Sequence, residues 1–114
     1  MKVIIAGSRD FTNYQFLLDS IYKLDYSEWT EIVSGGAKGA DALGEQFAQT
    51  HNLSLKVFPA DWNKLGNAAG PIRNKQMAEY ADALVAFWDG KSKGTKNMIE
   101  TARKLGLKTE VVKI

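Results

Sequence analysis

The chain predicts a three-layer α/β fold: a parallel five-stranded sheet in the order 3-2-1-4-5 with helices on both faces. Three observations predict it. Short apolar runs alternate with segments of helical period along the whole length, the pattern of repeated βα units. The runs at 3–6 (Val-Ile-Ile-Ala) and 83–87 (Ala-Leu-Val-Ala-Phe) are apolar throughout, which suits central strands covered on both sides. The third and fifth runs carry Lys56, Glu110 and Lys113, which suits edges. Right-handed crossovers then give the order. At 114 residues the chain makes one domain, 1–114, with a real core.

The elements follow in sequence. After the first strand, Thr12-Asn13-Tyr14-Gln15 matches a capping box with Phe11 placed as its staple. Tyr14, Leu17, Leu18, Ile21 and Leu24 then keep helical spacing. Ile32 and Val33 make a second strand. A helix starts at about Lys38, carries the stripe Ala40, Leu43, Phe47 and Ala48, and ends near His51. The run 55–58 is a third strand. Residues 72–80 read as a short helix with Pro71 at its first turn. After the fourth strand, Met98, Ile99, Ala102 and Leu105 mark a last helix that Gly106 stops, and 110–113 is a final strand.

Composition narrows the function. Without cysteine there is no disulfide framework, thiolate metal site or Cys nucleophile, which fits a cytoplasmic chain. No apolar run approaches the roughly 18–20 residues of a membrane span, so no membrane partner is expected. The N-terminus reads as a strand and is too short for a signal peptide. Net charge is +2 with the basic residues scattered, which argues against nucleic acid as a partner. His51, the one histidine, sits at a helix end, so a metal cluster and a His-based triad are excluded, and no cofactor is expected.

In a sheet of this order the ligand crevice lies at the carboxyl ends of the strands, where the winding reverses. Four polar, glycine-containing segments follow strands and gather there. The most informative is Ser34-Gly35-Gly36-Ala37-Lys38-Gly39-Ala40-Asp41. A strand that delivers a glycine turn to a helix start converges backbone N–H groups and the positive end of the helix dipole on an anion. The run matches neither GxxxxGK[ST] nor GxGxxG, and a tight turn with glycines for sterics alone is the alternative. Lys38 would tune such a site. Asp41 would bind a ribose hydroxyl or act as a first-turn helix acid.

The other three segments add charge and an aromatic face. In Gly7-Ser8-Arg9-Asp10, Arg9 would grip a phosphate or carboxylate, or pair with Asp10 or Asp41. The long connection 59–71 holds Asp61 and Trp62, the latter to stack on a base or to pin the loop. Arg73 and Asn74 follow it at a helix start. Gly94 and Thr95 open the last helix as a second anion site or a plain cap.

Together Gly7-Ser8-Arg9-Asp10-Phe11, the 34–41 run, Ala60-Asp61-Trp62, Ala69-Gly70-Pro71-Ile72-Arg73-Asn74 and Gly94-Thr95 resemble the YspA-type branch of the SLOG superfamily over nearly the whole chain. The resemblance implies a Rossmann-like fold related to the lonely-guy phosphoribohydrolases, the molybdenum-cofactor carrier proteins and the DNA-processing protein of transformation. It implies a nucleotide or nucleotide-derived ligand. Such relatives often form dimers, and apolar residues left on helix faces would serve a homo-oligomer. The phosphoribohydrolases carry an RKxxM segment and a glutamate just after a GGxGT turn. Arg73-Asn74-Lys75-Gln76-Met77 resembles the first, shifted by one residue. The second departs, because Lys96, Asn97 and Met98 stand where the glutamate is expected and Glu100 lies further on.

The leading expectation is therefore a sensor, carrier or sequestering domain for a nucleotide or ADP-ribose-like molecule. Its ligand-binding set is Gly7, Ser8, Arg9, Ser34, Gly35, Gly36, Lys38, Gly39, Ala40, Asp41, Asp61, Trp62, Arg73, Asn74, Gly94 and Thr95. The alternative is an N-glycosidic nucleotide hydrolase of phosphoribohydrolase type. Without the glutamate, Asp41 or Asp61 would have to supply the acid near the ribose.

Overall fold

A computed structural model describes all 114 residues. The strands are β1 (Lys2–Gly7), β2 (Glu31–Ser34), β3 (Ser54–Val57), β4 (Ala83–Trp88) and β5 (Lys108–Lys113). The helices are α1 (Tyr14–Tyr22), α2 (Ala40–Thr50), α3 (Trp62–Leu65), α4 (Ala69–Tyr80) and α5 (Lys93–Lys104). All strand pairs are parallel and the order is β3-β2-β1-β4-β5, as the charge pattern of the edges predicts. No helix is long and apolar enough to cross a membrane.

The period of two along β1 and β4 divides the core. Val3, Ile5, Val85 and Phe87 face one side and pack with Leu17, Ile21 and Phe47 of α1 and α2. Ile4, Ala6, Leu84 and Ala86 face the other and pack with Met77 of α4 and Met98, Ile99 and Ala102 of α5. Alternate side chains point to opposite faces, so a wholly apolar strand needs helices on both. The helix at α2 comes especially close, since a Cβ on Gly44 would stand 2.8 Å from Ile5 Cβ.

The structure corrects several boundaries. The cap of α1 is Asn13, whose Oδ1 accepts from Phe16 N at 3.0 Å. Gln15 reaches Asp19 instead, at 2.9 Å, so the capping box is not formed. Phe11 is buried and stacks on Phe87 at 5.3 Å between ring centres. The connection 59–71 is not a bare loop. It holds α3 and a 3-10 turn (Gly66–Ala68), and α4 begins at Ala69, so Pro71 is its third residue, still within the turn whose N–H groups lack helical partners. The fifth strand begins at Lys108 rather than 110.

Candidate functional site

Strands β1, β2 and β4 all deliver loops to the same edge of the sheet. The loop after β1 is fixed by backbone bonds. Ser8 N donates to Phe87 O at 3.1 Å, while Ser8 O accepts from Phe11 N and Ala40 N, both at 3.2 Å. The backbone of Ser8 and Arg9 presses directly on Gly39, whose φ of 76° is itself a glycine conformation. Arg9 therefore leaves a rigid loop. Its side chain is exposed and its guanidinium lies 6.0 Å from the centre of the Trp62 ring, at the outer limit of a cation–π contact.

The glycine turn after β2 already contains its anion. Ala37 N donates to Asp41 Oδ2 at 3.3 Å, and the Gly35 N–H also favours the ionised carboxylate. Gly36 N donates to Ser34 Oγ at 3.1 Å, and Ser34 Oγ donates to Glu45 Oε2 at 2.7 Å. Ala40 N is taken by Ser8 O. The expectation that this turn offers its N–H groups to an incoming phosphate is thus corrected at Gly36, Ala37 and Ala40, where the protein's own oxygens accept. Gly35 is glycine for room. A Cβ there would lie 2.5 Å from Arg73 Nη1 and 2.8 Å from Asp41 Oδ2.

Asp41 is buried. Burial pushes its carboxyl above the ordinary range, and Glu45 adds to this, against the Ala37 N–H and the Arg73 charge. Arg73 comes from the start of α4. Its Nη1 donates to Gly35 O at 2.6 Å and its Nε to Asn74 Oδ1 at 3.1 Å. Burial lowers its pKa, opposed by Asp41 and helped by Arg9, from a value so high that it stays a cation. Asn74 is buried and spans to α5, its Nδ2 donating to Asn97 Oδ1 at 2.9 Å and Gly94 O at 3.3 Å. These bonds hold β2, α4 and α5 in one frame.

The start of α5 differs from expectation. Its cap is Ser92, whose Oγ accepts from Thr95 N at 3.4 Å and lies 3.1 Å from Thr95 Oγ1. Trp88 Nε1 donates to Ser92 O at 3.0 Å, which fixes the turn to β4. Thr95 is buried, whereas Gly94 faces open space, with nothing within 4 Å of where a Cβ would stand.

Between these loops lies a cleft of about 310 Å³, at the small end of ligand cavities. Gly7, Arg9, Asp41, Trp62, Arg73, Asn74, Gly94 and Thr95 line it, over an apolar floor that includes Met77 and Met98. A second hollow of about 580 Å³ shares Arg9, Ala37, Trp62 and Arg73 with the first and adds Gly35, Gly36 and Lys38. The remaining sequence candidates lie outside both. Ser8, Ser34, Gly39 and Ala40 are supports beneath the turns. Asp61 caps α3 through Lys64 N at 3.1 Å and borders a separate depression beside Lys64 and Leu65. Sequence reasoning missed Ser92, Lys93 and Asn97, which line the cleft. Ser92 was legible as a cap three residues before Thr95, whereas Asn97 is placed by its bond to Asn74 on another helix, which local spacing does not encode. No group of three or more His, Cys, Asp or Glu is arranged to hold a metal.

Residues 1–65 match the sequence model of the YspA, cpYpsA-related SLOG family. The chain belongs to this family. It is 33% identical over 116 aligned residues to the Gene 61 protein of Mycobacterium phage D29, covering 93% of this chain and 91% of that one. No solved structure matches it. In this SLOG domain the place of the phosphoribohydrolase glutamate after Gly94-Thr95 holds no carboxylate: Asn97 and Met98 line the cleft there, and Glu100 is exposed.

Proposed function

We propose that the domain binds a nucleotide or nucleotide-derived small molecule in the cleft at the carboxyl edge of β1 and β4, as a sensor, carrier or sequestering protein. The observation that carries this reading is the pairing of Arg9 and Arg73 above an apolar floor of Met77 and Met98, with Trp62 as one wall. Two guanidinium groups suit phosphate oxygens: Arg9 can meet them as a bidentate donor, while Arg73, with Nε and Nη1 already donating to Asn74 and Gly35 O, offers Nη2. The indole and methionine surfaces suit a base or sugar. The Lys93 and Gly94 end of the cleft, at the start of a twelve-residue helix, adds a positive dipole to the same ligand. SLOG membership supports nucleotide-related binding in general.

A thermal-shift series with AMP, ADP, ADP-ribose, NAD and cyclic nucleotides tests the reading. A ligand at 100 times its Kd stabilises by about 2.7 kcal/mol, a rise of roughly 10 °C for a chain of this length. Arg73→Ala removes that rise. If no nucleotide shifts the wild type, the cleft is not a nucleotide site.

One observation favours a second reading, N-glycosidic hydrolysis. Asp41 borders the cleft and burial raises its pKa above the ordinary range, the direction in which a carboxyl is tuned for general-acid work. Chromatography of the same incubations separates the two. Intact ligand supports binding alone, and free base with ribose phosphate, lost in Asp41→Asn, supports hydrolysis.

A further inference from the structure

The two hollows are neighbours. They meet at Arg9, Ala37, Trp62 and Arg73. Each lobe then has a cation of its own, Lys93 in the first and Lys38 in the second, and both lysines are exposed. The waist carries the two arginines, with Arg73 tied to Gly35 O at 2.6 Å so that it stays between the lobes. Each lobe contains one carboxylate, Asp41 or Asp10. A ligand with a single phosphate satisfies one lobe and leaves the other's lysine, and the open surface beside Gly36, without a ligand group.

We infer that the ligand is a small molecule with two separated phosphate-class groups, one in each lobe, joined by an uncharged sugar or ring that passes the Arg9–Trp62–Arg73 waist. This rests on the nucleotide-binding reading above and narrows it to a class. The second lobe does not depend on the backbone of the glycine turn, whose N–H groups at Gly36 and Ala37 are already used. It depends on side-chain charge from Lys38 and Arg9 and on the space that the lobe provides. That space is larger than the first cleft, so it admits a phosphate with its solvation and with part of the linking sugar.

The test is calorimetric titration of the full chain with adenosine 3′,5′-bisphosphate, AMP and a 5′-phosphorylated dinucleotide. The bisphosphate is expected to bind about tenfold more tightly than AMP, the increment of one charge-assisted phosphate contact. Lys38→Gln brings that ratio close to one, and Lys38→Arg restores it. Both variants alter an exposed side chain, and melting curves matching wild type confirm that they fold. Equal affinity for AMP and the bisphosphate overturns the two-lobe ligand while leaving nucleotide binding intact. The 5′-phosphorylated dinucleotide also carries two phosphates across one sugar, so it is expected to bind more tightly than AMP, and an affinity no better than that of AMP counts against the two-lobe ligand. If neither AMP nor the bisphosphate binds while another nucleotide of the thermal-shift series does, the two-lobe ligand falls alone, and if none of them binds, the underlying reading falls with it.

Discussion

Gly35→Ala separates the structural from the ligand-binding use of the glycines. Gly35 is not in the left-handed region, so alanine fits its backbone and any cost comes from contact. The new Cβ would fall 2.5 Å from Arg73 Nη1, 2.9 Å from Arg73 Cζ and 2.8 Å from Asp41 Oδ2. The guanidinium has to leave Gly35 O. A hydrogen bond to a charged group is worth about 1.5–3 kcal/mol, and the alanine returns about 0.4–1 kcal/mol through the unfolded chain. The net loss is about 1.5 kcal/mol. With an unfolding entropy of about 2.1 cal/mol/K per residue over a chain this long, each kcal/mol moves Tm by roughly 4 °C, so the variant should melt about 6 °C below wild type. Gly94→Ala is the control. Nothing lies within 4 Å of its Cβ, and it stands in the first turn of α5, so alanine should raise Tm by up to about 4 °C. Both are read by circular dichroism. A Gly35→Ala protein that melts at or above wild type would refute the account of Arg73 as a side chain wedged over Gly35.

Further predictions concern Asp41 and the cap of α5. The folded carboxyl of Asp41 titrates above its ordinary 3.8 because it is buried, so the folded state binds more protons than the unfolded one in that window. Stability therefore falls as pH rises from 3.8 through the raised value and is constant in this contribution above it. Asp41→Asn keeps an acceptor for Ala37 N but removes the titration. It should melt above wild type at neutral pH, with the gap closing toward pH 4, and parallel Tm profiles across that range would count against this account. Ser92→Ala removes the Oγ that accepts from Thr95 N. A lost N-cap costs about 1 kcal/mol, so Tm should drop by roughly 4 °C, and nucleotide affinity should fall as the start of α5 frays.

Much of the fold was legible because burial writes a simple pattern into parallel strands. Residues 3–6 and 83–87 have no polar face, and only a sheet with helices on both sides can bury them. The charged residues Lys56, Glu110 and Lys113 marked the edges for the same reason, and the observed order follows. Boundaries were less legible where several residues compete for one role. Thr12 and Asn13 are both good caps, and the choice falls to Asn13 because Phe11 is drawn down onto Phe87 and sets where the chain turns. The α3 segment and the early start of α4 were hidden by Gly66, Gly70 and Pro71, which read as loop. Trp62 packs across Gly70, 3.2 Å from where a Cβ would stand, and this tertiary contact outweighs the weak helical propensity of the segment. In the cleft, eight of the sequence candidates meet at the lining of the first lobe. Asn97 escaped because its role depends on Asn74, twenty-three residues away, and no local spacing encodes that pair.

The glycine turn shows why an anion site and an acid-filled turn look alike in sequence. Both need converging N–H groups, glycines that leave space, and a helix start whose dipole favours negative charge. What differs is the source of the charge. Here the acid lies four residues beyond Ala37, within the first turn of α2, near enough to fold back into its own turn. A phosphate entering the same position would stand against a buried carboxylate, and the repulsion would have to be removed by protonation or by moving Asp41. The carboxylate instead holds the turn shut from below and attracts Arg73, whose Nη1 is anchored on Gly35 O. The positive charge offered to a ligand thus sits one layer further out, on Arg9, Arg73 and Lys93 around the cleft. In that arrangement the glycine turn contributes to binding indirectly, by fixing the guanidinium that faces the ligand.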